Sequence, residues 1–255
     1  TYPECKLRCA EHVEEIIQYE SPSTVAAVLL ETLTGAAGFF APPDGYFQRL
    51  REICDKYDIL LVLDEVMVAF GRAGKWFAIE HYDVVPDIIS MAKGLTCGYV
   101  PLGCVAISDR IMDKLDKEML YVGLTYNSHP LACATGSAVL QVYHEEELIE
   151  NAAKLGLVLK AGLEELKAVH PCVGDVRVTG LFSCLELVTD RETKEPLPPA
   201  ISGSIRQRLL ERGLSTNVMR NLVFVGPPLI ITEEELASGL EIIDGLLEEI
   251  DQQIG

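Results

Sequence analysis

The sequence predicts an α/β fold, a mostly parallel sheet with flanking helices, followed by a small α+β domain. Three observations carry this. Helical and strand patterns alternate through the first half. Two short, continuous apolar runs, Ile59-Leu60-Leu61-Val62-Leu63 and Ile88-Ile89-Ser90-Met91-Ala92, stop abruptly at charged residues, as strands buried on both faces do. Past the acidic run Glu145-Glu146-Glu147 the order changes to a long amphipathic helix and strands in succession. The domain boundary is therefore placed between 1–146 and 147–255.

The elements follow in order. Cys9, Val13, Ile16 and Ile17 recur at helical spacing over 9–19. Residues 25–30 read as a buried strand ending in Glu31. A Gly-, Ala- and Pro-rich loop covers 32–43. Asp44 is expected to cap a helix whose apolar face is Tyr46, Leu50, Ile53, Cys54 and Tyr57. The strand at 59–63 comes next and closes in Asp64 and Glu65. A short helix over 76–82, a strand over 87–91, Lys93, a glycine-containing connection over 94–101 and a strand over 102–107 follow. Ser108 or Asp109 caps a helix expected to run through Glu118. Ser128 and Pro130 signal the start of a helix over 131–143. That helix is rich in Ala, Gly, Cys and Ser, which predicts close packing on all its faces. The acidic run is read as a solvated junction.

The next helix extends to about residue 170 with Leu148, Ile149, Ala152, Leu155, Leu159, Leu163 and Leu166 along one side. Strands over 173–179 and 181–188 and a Pro-rich loop lead to a helix over 201–212 with Gly213 as its C-terminal stop. Strands over 214–219 and 222–225 precede a capping box, Thr232-Glu233-Glu234-Glu235, that opens the last helix.

Composition bounds the function. The formal charge is −18, from 39 acidic and 21 basic residues, which argues against nucleic acid and anionic membrane surfaces as partners. No apolar stretch approaches the roughly 20 residues of a spanning helix, and no basic-then-apolar leader is seen. The eight cysteines are mostly isolated within apolar segments, the usage expected of reduced core thiols in the cytoplasm rather than of a disulfide framework. Cys5, Cys9 and His12 cluster but match no common zinc spacing, so no metal is expected.

Open parallel sheets place their chemistry just beyond the carboxyl ends of their strands. Here one such end carries Asp64 and another delivers Lys93. A fixed carboxylate and a reactive amine are what pyridoxal phosphate requires. The lysine forms an imine, and the aspartate keeps the pyridine nitrogen protonated so that the ring accepts electrons. A partly desolvated site beside a cationic ring lowers the amine's pKa in the needed direction. The plain alternative is an ordinary turn acid and a solvated lysine. A third reading, the magnesium-binding strand of a phosphate-loop ATPase, requires a Gly-x-x-x-x-Gly-Lys-Ser/Thr loop. Gly71-Arg72-Ala73-Gly74-Lys75-Trp76 has the wrong spacing and no hydroxyl after the lysine.

Asp64-Glu65-Val66-x-x-x-Phe70-Gly71-Arg72-x-Gly74, followed by Ala92-Lys93-Gly94, resembles the class III pyridoxal-phosphate aminotransferases. The subgroup is the one acting on omega-amino acids, amines or taurine. The resemblance covers essentially the whole chain and implies a fold-type-I transferase. It further implies Asp64 on the pyridine nitrogen, Val66 against the ring face and Lys93 as the imine lysine and proton carrier. Ala69 and Ala73 stand where the family usually has glycine and threonine. The family's long preceding segment, with its glycine-serine phosphate cup and stacking aromatic residue, is not found, so the chain is expected to be the C-terminal part of such an enzyme.

By the same resemblance Thr125, in Gly123-Leu124-Thr125-Tyr126-Asn127-Ser128-His129-Pro130, donates to the cofactor phosphate of the partner subunit in a homodimer. Val122 sits where the family often has histidine. Without the resemblance Thr125 is a turn residue. Glu31 is either a substrate-side acid able to pair with a mobile arginine or a solvent-facing strand end. Arg220, ahead of Gly226-Pro227-Pro228-Leu229, is either the guanidinium that grips a substrate carboxylate or sulfonate or a surface arginine. Its spacing to the prolines is shorter than in some relatives. The implied reaction passes an amino group from an amine donor to a 2-oxo acid acceptor such as pyruvate. An aminomutase, racemase or decarboxylase would use the same residues. A truncated or split fragment, inert without an N-terminal half, stands as the non-catalytic alternative.

Overall fold

The computed structural model describes residues 2–117 and 120–254. They form two compact units. The first contains the chain through Thr34, Ala41–Phe70 and Trp76–Glu146; the second contains Gly35–Phe40, Gly71–Lys75 and the chain from Glu147 onward.

In the first unit, α1 (Arg8–Tyr19), β1 (Ala27–Glu31), α2 (Tyr46–Tyr57) and β2 (Leu60–Asp64) alternate as expected, followed by β3 (Ile88–Met91) and β4 (Cys104–Ile107). The sheet order is β1-β2-β3-β4. β1, β2 and β3 run parallel, and β4 closes the edge antiparallel to β3. The core lies where α1 and α2 meet β2: Ala10, Ile17, Phe47, Leu50, Ile53, Cys54, Ile59, Leu61 and Leu63 are all buried. Glu14 is also buried, and is tolerated because Arg49, Lys56 and Tyr57 all donate to its carboxylate, at 2.7, 2.6 and 2.9 Å.

Several expectations are corrected here. β1 is not a buried strand: its residues alternate between exposed and half-buried, and Leu29 is 70% exposed. Among the described residues it pairs only with β2. Gly45, in the left-handed region at φ 81°, and not Asp44, precedes the first turn of α2. The helix after β4 is α3 (Asp109–Leu115), with Ser108 at the N-cap making no side-chain cap bond; Glu118 lies outside the described residues. The small-residue helix, α4 (Pro130–Glu145), starts after His129 and buries only Ala132, Gly136 and Tyr143. Small side chains permit close packing on every face but do not demand it. The cysteines divide: Cys54, Cys172 and Cys184 are buried, whereas Cys9, Cys97, Cys104 and Cys133 are exposed, and all eight are free thiols.

The second unit holds α5 (Leu148–Val169), β5 (Val173–Thr179), β6 (Phe182–Asp190), β7 (Glu195–Pro196), α6 (Pro199–Glu211), β8 (Val218–Met219), β9 (Leu222–Val225) and α7 (Glu233–Ile254). Its antiparallel sheet has the order β5-β6-β9-β8, with β7 added on β6. The stripe of α5 read from the sequence is buried from Ile149 to Leu166 and joins residues of β5, β6, α6, β9 and α7 in one core. Gly213 ends α6 at φ 90°. Thr232 and Glu235 form the expected capping box: Glu235 N–H reaches Thr232 Oγ1 at 3.2 Å, and Thr232 N–H reaches Glu235 Oε2 at 2.9 Å. The strand expected from 214 begins only at Val218.

The Gly71–Lys75 loop is held within this unit. Arg72 donates to the carbonyls of Leu181 and Pro227, at 3.2 and 2.6 Å. Gly180, at φ 59°, lies so close that a Cβ there would come within 2.4 Å of the Ala73 carbonyl carbon. Among the described residues no helix is long and apolar enough to cross a membrane.

Candidate active site

The carboxyl ends of the three parallel strands of the first unit are in register. Glu31 is paired with Asp64, and Asp64 with Ser90. Lys93 follows three residues beyond Ser90, as the first residue of a single 3-10 turn, Lys93–Leu95. Two of the expected site residues, Glu31 and Asp64, thus share one row across the sheet end, and Lys93 leaves the neighbouring strand just past it.

The Asp64 side chain is locally fixed. Its Oδ1 accepts the N–H of Val66 at 2.8 Å, the short-range turn that aspartate favours after a strand. This bond joins the carboxylate and Val66 as one piece and leaves Oδ2 for a second donor. Both residues are half-buried. Lys93 is exposed, at φ 34°, a backbone region unfavourable for a residue with a Cβ and recurrent at functional sites. Lys93 and Asp64 form no ion pair with each other among the described residues.

Glu65, next to Asp64, has a part that sequence reasoning did not give it. Its carboxylate is fully buried and accepts three hydrogen bonds, from Thr32 Oγ1 at 2.8 Å, Ala78 N–H at 2.7 Å and Ile79 N–H at 2.8 Å. Burial raises its pKa, against the three donors, which favour the charged form. Glu65 thereby ties the end of β1, the turn after β2 and the 3-10 turn Ala78–His81 together, and its own N–H donates to Ser90 O at 2.9 Å. The two adjacent acids divide the work: Glu65 braces the row from inside, and Asp64 faces outward. Their adjacency was legible; the partners of Glu65, remote in sequence, were not.

Glu31 is exposed at the end of β1 and is engaged in further interactions. Thr125 lies in an exposed turn, closed by Asn127 N–H on Leu124 O at 3.0 Å, shortly before α4. Its side chain makes no hydrogen bond among the described residues. Arg220 belongs to the second unit. It occupies the two-residue turn between β8 and β9, at φ 56°. Asn221 fixes that turn by donating to Leu187 O at 3.1 Å. Arg220 is exposed and lines a cavity of about 310 Å³ with Phe40, Arg177 and Glu186. Arg177 is committed elsewhere, to Asp175, Glu186 and Gly38 O.

An anchored carboxylate at one strand end and a lysine turn past the end of the next parallel strand are the two groups that a cofactor with a basic ring nitrogen and an amine-reactive carbon would use. The comparisons with known proteins agree with that class. The family model for aminotransferase class-III matches residues 2–247, and the chain belongs to this family. It is 36% identical to the taurine–pyruvate aminotransferase of Bilophila wadsworthia, over 98% of this chain and 58% of that protein. It is 39% identical to the omega-aminotransferase of Caulobacter vibrioides, over 98% and 57%. The crystal structure of the taurine:2-oxoglutarate aminotransferase from Bifidobacterium kashiwanohense, in complex with PLP and glutamate, superposes with a TM-score of 0.92 at 42% identity, covering 96% of this chain and 56% of that one. The chain therefore spans a little under three-fifths of the length of these relatives.

Proposed function

We propose that the protein takes part in pyridoxal-phosphate-dependent transamination in the cytoplasm, moving an amino group from an omega-amino acid, amine or taurine-like donor to a 2-oxo acid such as pyruvate. The observation that carries this is the in-register row Glu31, Asp64, Ser90 with Lys93 just beyond it. The donor set suits the cofactor: an anchored carboxylate with one oxygen unengaged matches a protonated ring nitrogen, and an exposed lysine on a strained turn matches an aldehyde carbon. When bound, the cofactor supplies that electrophilic carbon and an electron-withdrawing ring.

The chain's residues have these roles. Asp64 holds a proton on the ring nitrogen, and Val66, fixed to it, covers one ring face. Lys93 holds the cofactor and, when freed, carries a proton between carbon atoms as general acid and base. Arg220 grips the acid group of a substrate, and Glu31 balances that guanidinium when no acid is bound. Thr125 donates to the cofactor phosphate of a partner subunit in a homodimer, an arrangement supported by the exposure of its whole turn. The first unit corresponds to the later half of a cofactor-binding large domain (1–146), and the second, from Glu147, to a small C-terminal domain. The shape of the site leaves aminomutase, racemase or decarboxylase chemistry on the same residues as subordinate readings.

A second reading is that these 255 residues are inert by themselves and act only with a further segment. The coverage of 58% and 56% of the relatives favours it. One experiment addresses both. The chain is incubated with pyridoxal phosphate, reduced with borohydride and mapped by peptide mass spectrometry, with Lys93→Ala in parallel. A single adduct at Lys93, lost in the variant, is expected if the half-site is organised. Scattered labelling or none assigns the chemistry to the longer assembly alone.

A further inference from the structure

The turn that bears Lys93 is held by α4. Within the turn, Leu95 N–H donates to Ala92 O at 2.8 Å, Cys97 N–H to Lys93 O at 2.9 Å and Thr96 Oγ1 to Val100 O at 2.7 Å. These bonds are local and would survive a rigid shift of the whole turn. One side chain from another helix fastens it: the hydroxyl of Tyr143 donates to the carbonyl of Gly94 at 2.9 Å.

Tyr143 is itself well seated. It is 3% exposed, its ring lies against Phe70 with centroids 6.2 Å apart, and Trp76 meets it edge-on at 5.9 Å. The approach to Gly94 is close. A Cβ on Gly94 would lie 2.9 Å from Phe70 Cβ and 3.2 Å from the Tyr143 hydroxyl. Gly136, two turns earlier on the buried stripe of α4, faces Leu95 O and Leu102 in the same way, at 3.8 and 3.3 Å from its own notional Cβ. A strained residue such as Lys93 keeps its conformation only where its surroundings over-determine it. Here the surroundings are the stripe of α4 and Phe70.

We propose that Tyr143 is a positioning residue for the Lys93 amine: its hydroxyl, by donating to the carbonyl of Gly94, fixes the turn from which that amine is presented. The same hydroxyl lies 3.3 Å from Cys97 Sγ, at the far end of the turn, so its contacts are with the turn itself and its part is to position rather than to make bonds. Its effect is on the orientation of the lysine, to which reactions at a held carbon are steeply sensitive. This rests on the reading of Lys93 as the reactive amine.

The test uses the full chain and Tyr143→Phe, which removes the hydroxyl and retains the ring against Phe70 and Trp76. Two quantities are measured. The first is amide hydrogen exchange at Leu95, Thr96 and Cys97. The second is the ratio of borohydride-trapped pyridoxal phosphate at Lys93 to that at the exposed Lys75 and Lys114. Loss of one such bond is expected to speed exchange in the turn by roughly tenfold, with β2 unchanged, and to lower the Lys93 ratio by a similar factor. General destabilisation would instead raise exchange and labelling throughout. An unchanged Lys93 ratio in Tyr143→Phe overturns the proposal, whether or not the turn exchanges faster. If the unsubstituted chain shows no preference for Lys93, this chain by itself does not present that amine, and the proposal is overturned for it, while the reading of Lys93 passes to the longer assembly.

Discussion

Among the described residues, the second unit gathers nineteen buried apolar side chains into one core around its five-stranded sheet; the first gathers ten into the core of its four-stranded one and buries others, such as Leu33, Val68, Phe70 and Tyr143, outside it. The difference is not one of composition. In the first unit apolar residues are present but uncovered: Leu29 on β1, Val105 on β4, and Tyr121, Val122, Leu124 and Tyr126 ahead of α4 are all more than half exposed. Exposed apolar surface on this scale marks a face that another surface covers. The second unit also has Leu157, Val169, Leu210 and Ile230 more than half exposed, but its single larger core makes it the more closed of the two, and the unit with the candidate chemistry the more open. The proposed dimer or a further segment would lie on those faces.

The sharpest way to break this comparison is at Glu65, the buried brace of the open unit. Glu65→Ala would orphan one hydroxyl and two amide donors, each costing about 1–3 kcal/mol. The expected loss is about 4 kcal/mol, read as a fall in the midpoint of chemical denaturation. Glu65→Gln, which retains an acceptor oxygen, should lose roughly half as much. A loss under about 1 kcal/mol for the alanine variant would mean that the first unit is not organised around its strand ends.

The closed unit has its own buried ionic device. His170, 3% exposed at the end of α5, lies between Asp251 at 2.7 Å and Asp244 at 2.8 Å, both on α7. Asp251 also accepts Cys172 N–H at 2.9 Å, and Arg191 donates to the carbonyl of His170. Burial lowers the histidine's pKa, but the hydrogen bonds to Asp244 and Asp251 outweigh it, and the net direction is upward. The cationic form is therefore favoured by folding. Its contribution is fully present below the ordinary value of 6.5 and is lost as pH rises through the raised folded value. Asp244 is half-exposed, so the pair is partly screened. His170→Ala should cost about 2 kcal/mol at pH 6 and clearly less at pH 9, as followed by thermal melts. Equal losses at the two pH values would show that the imidazole matters only by packing.

What the sequence disclosed follows the same division. The stripe of α5, the capping box at Thr232 and the apolar run into Asp64 were legible because each depends on neighbours within a few residues. The place of Lys93 just past the end of β3 was legible from the same run-and-stop pattern. Tyr143 was not: its partner Gly94 lies 49 residues away, and nothing local separates it from any helix aromatic. Glu65 stayed without a role for the same reason, its partner Thr32 being 33 residues away. The composition of α4 misled because small residues fit equally well against a neighbour and against solvent. Ala73, where threonine is usual, is 1% exposed, and the backbone of Gly180 comes so near it that only a compact loop fits.

The smallest expected effect separates an open face from a merely loose one. Leu29 is 70% exposed on an edge strand, so Leu29→Ser removes little buried area. Its cost in the isolated chain should stay within about 0.5 kcal/mol. An unpaired, apolar strand edge nonetheless invites association, so the same substitution should weaken self-association in sedimentation velocity while the melting midpoint holds. If stability instead falls by 2 kcal/mol or more, Leu29 is covered in solution within one chain. The contrast between a closed and an open unit would then be wrong at the strand where it is most visible.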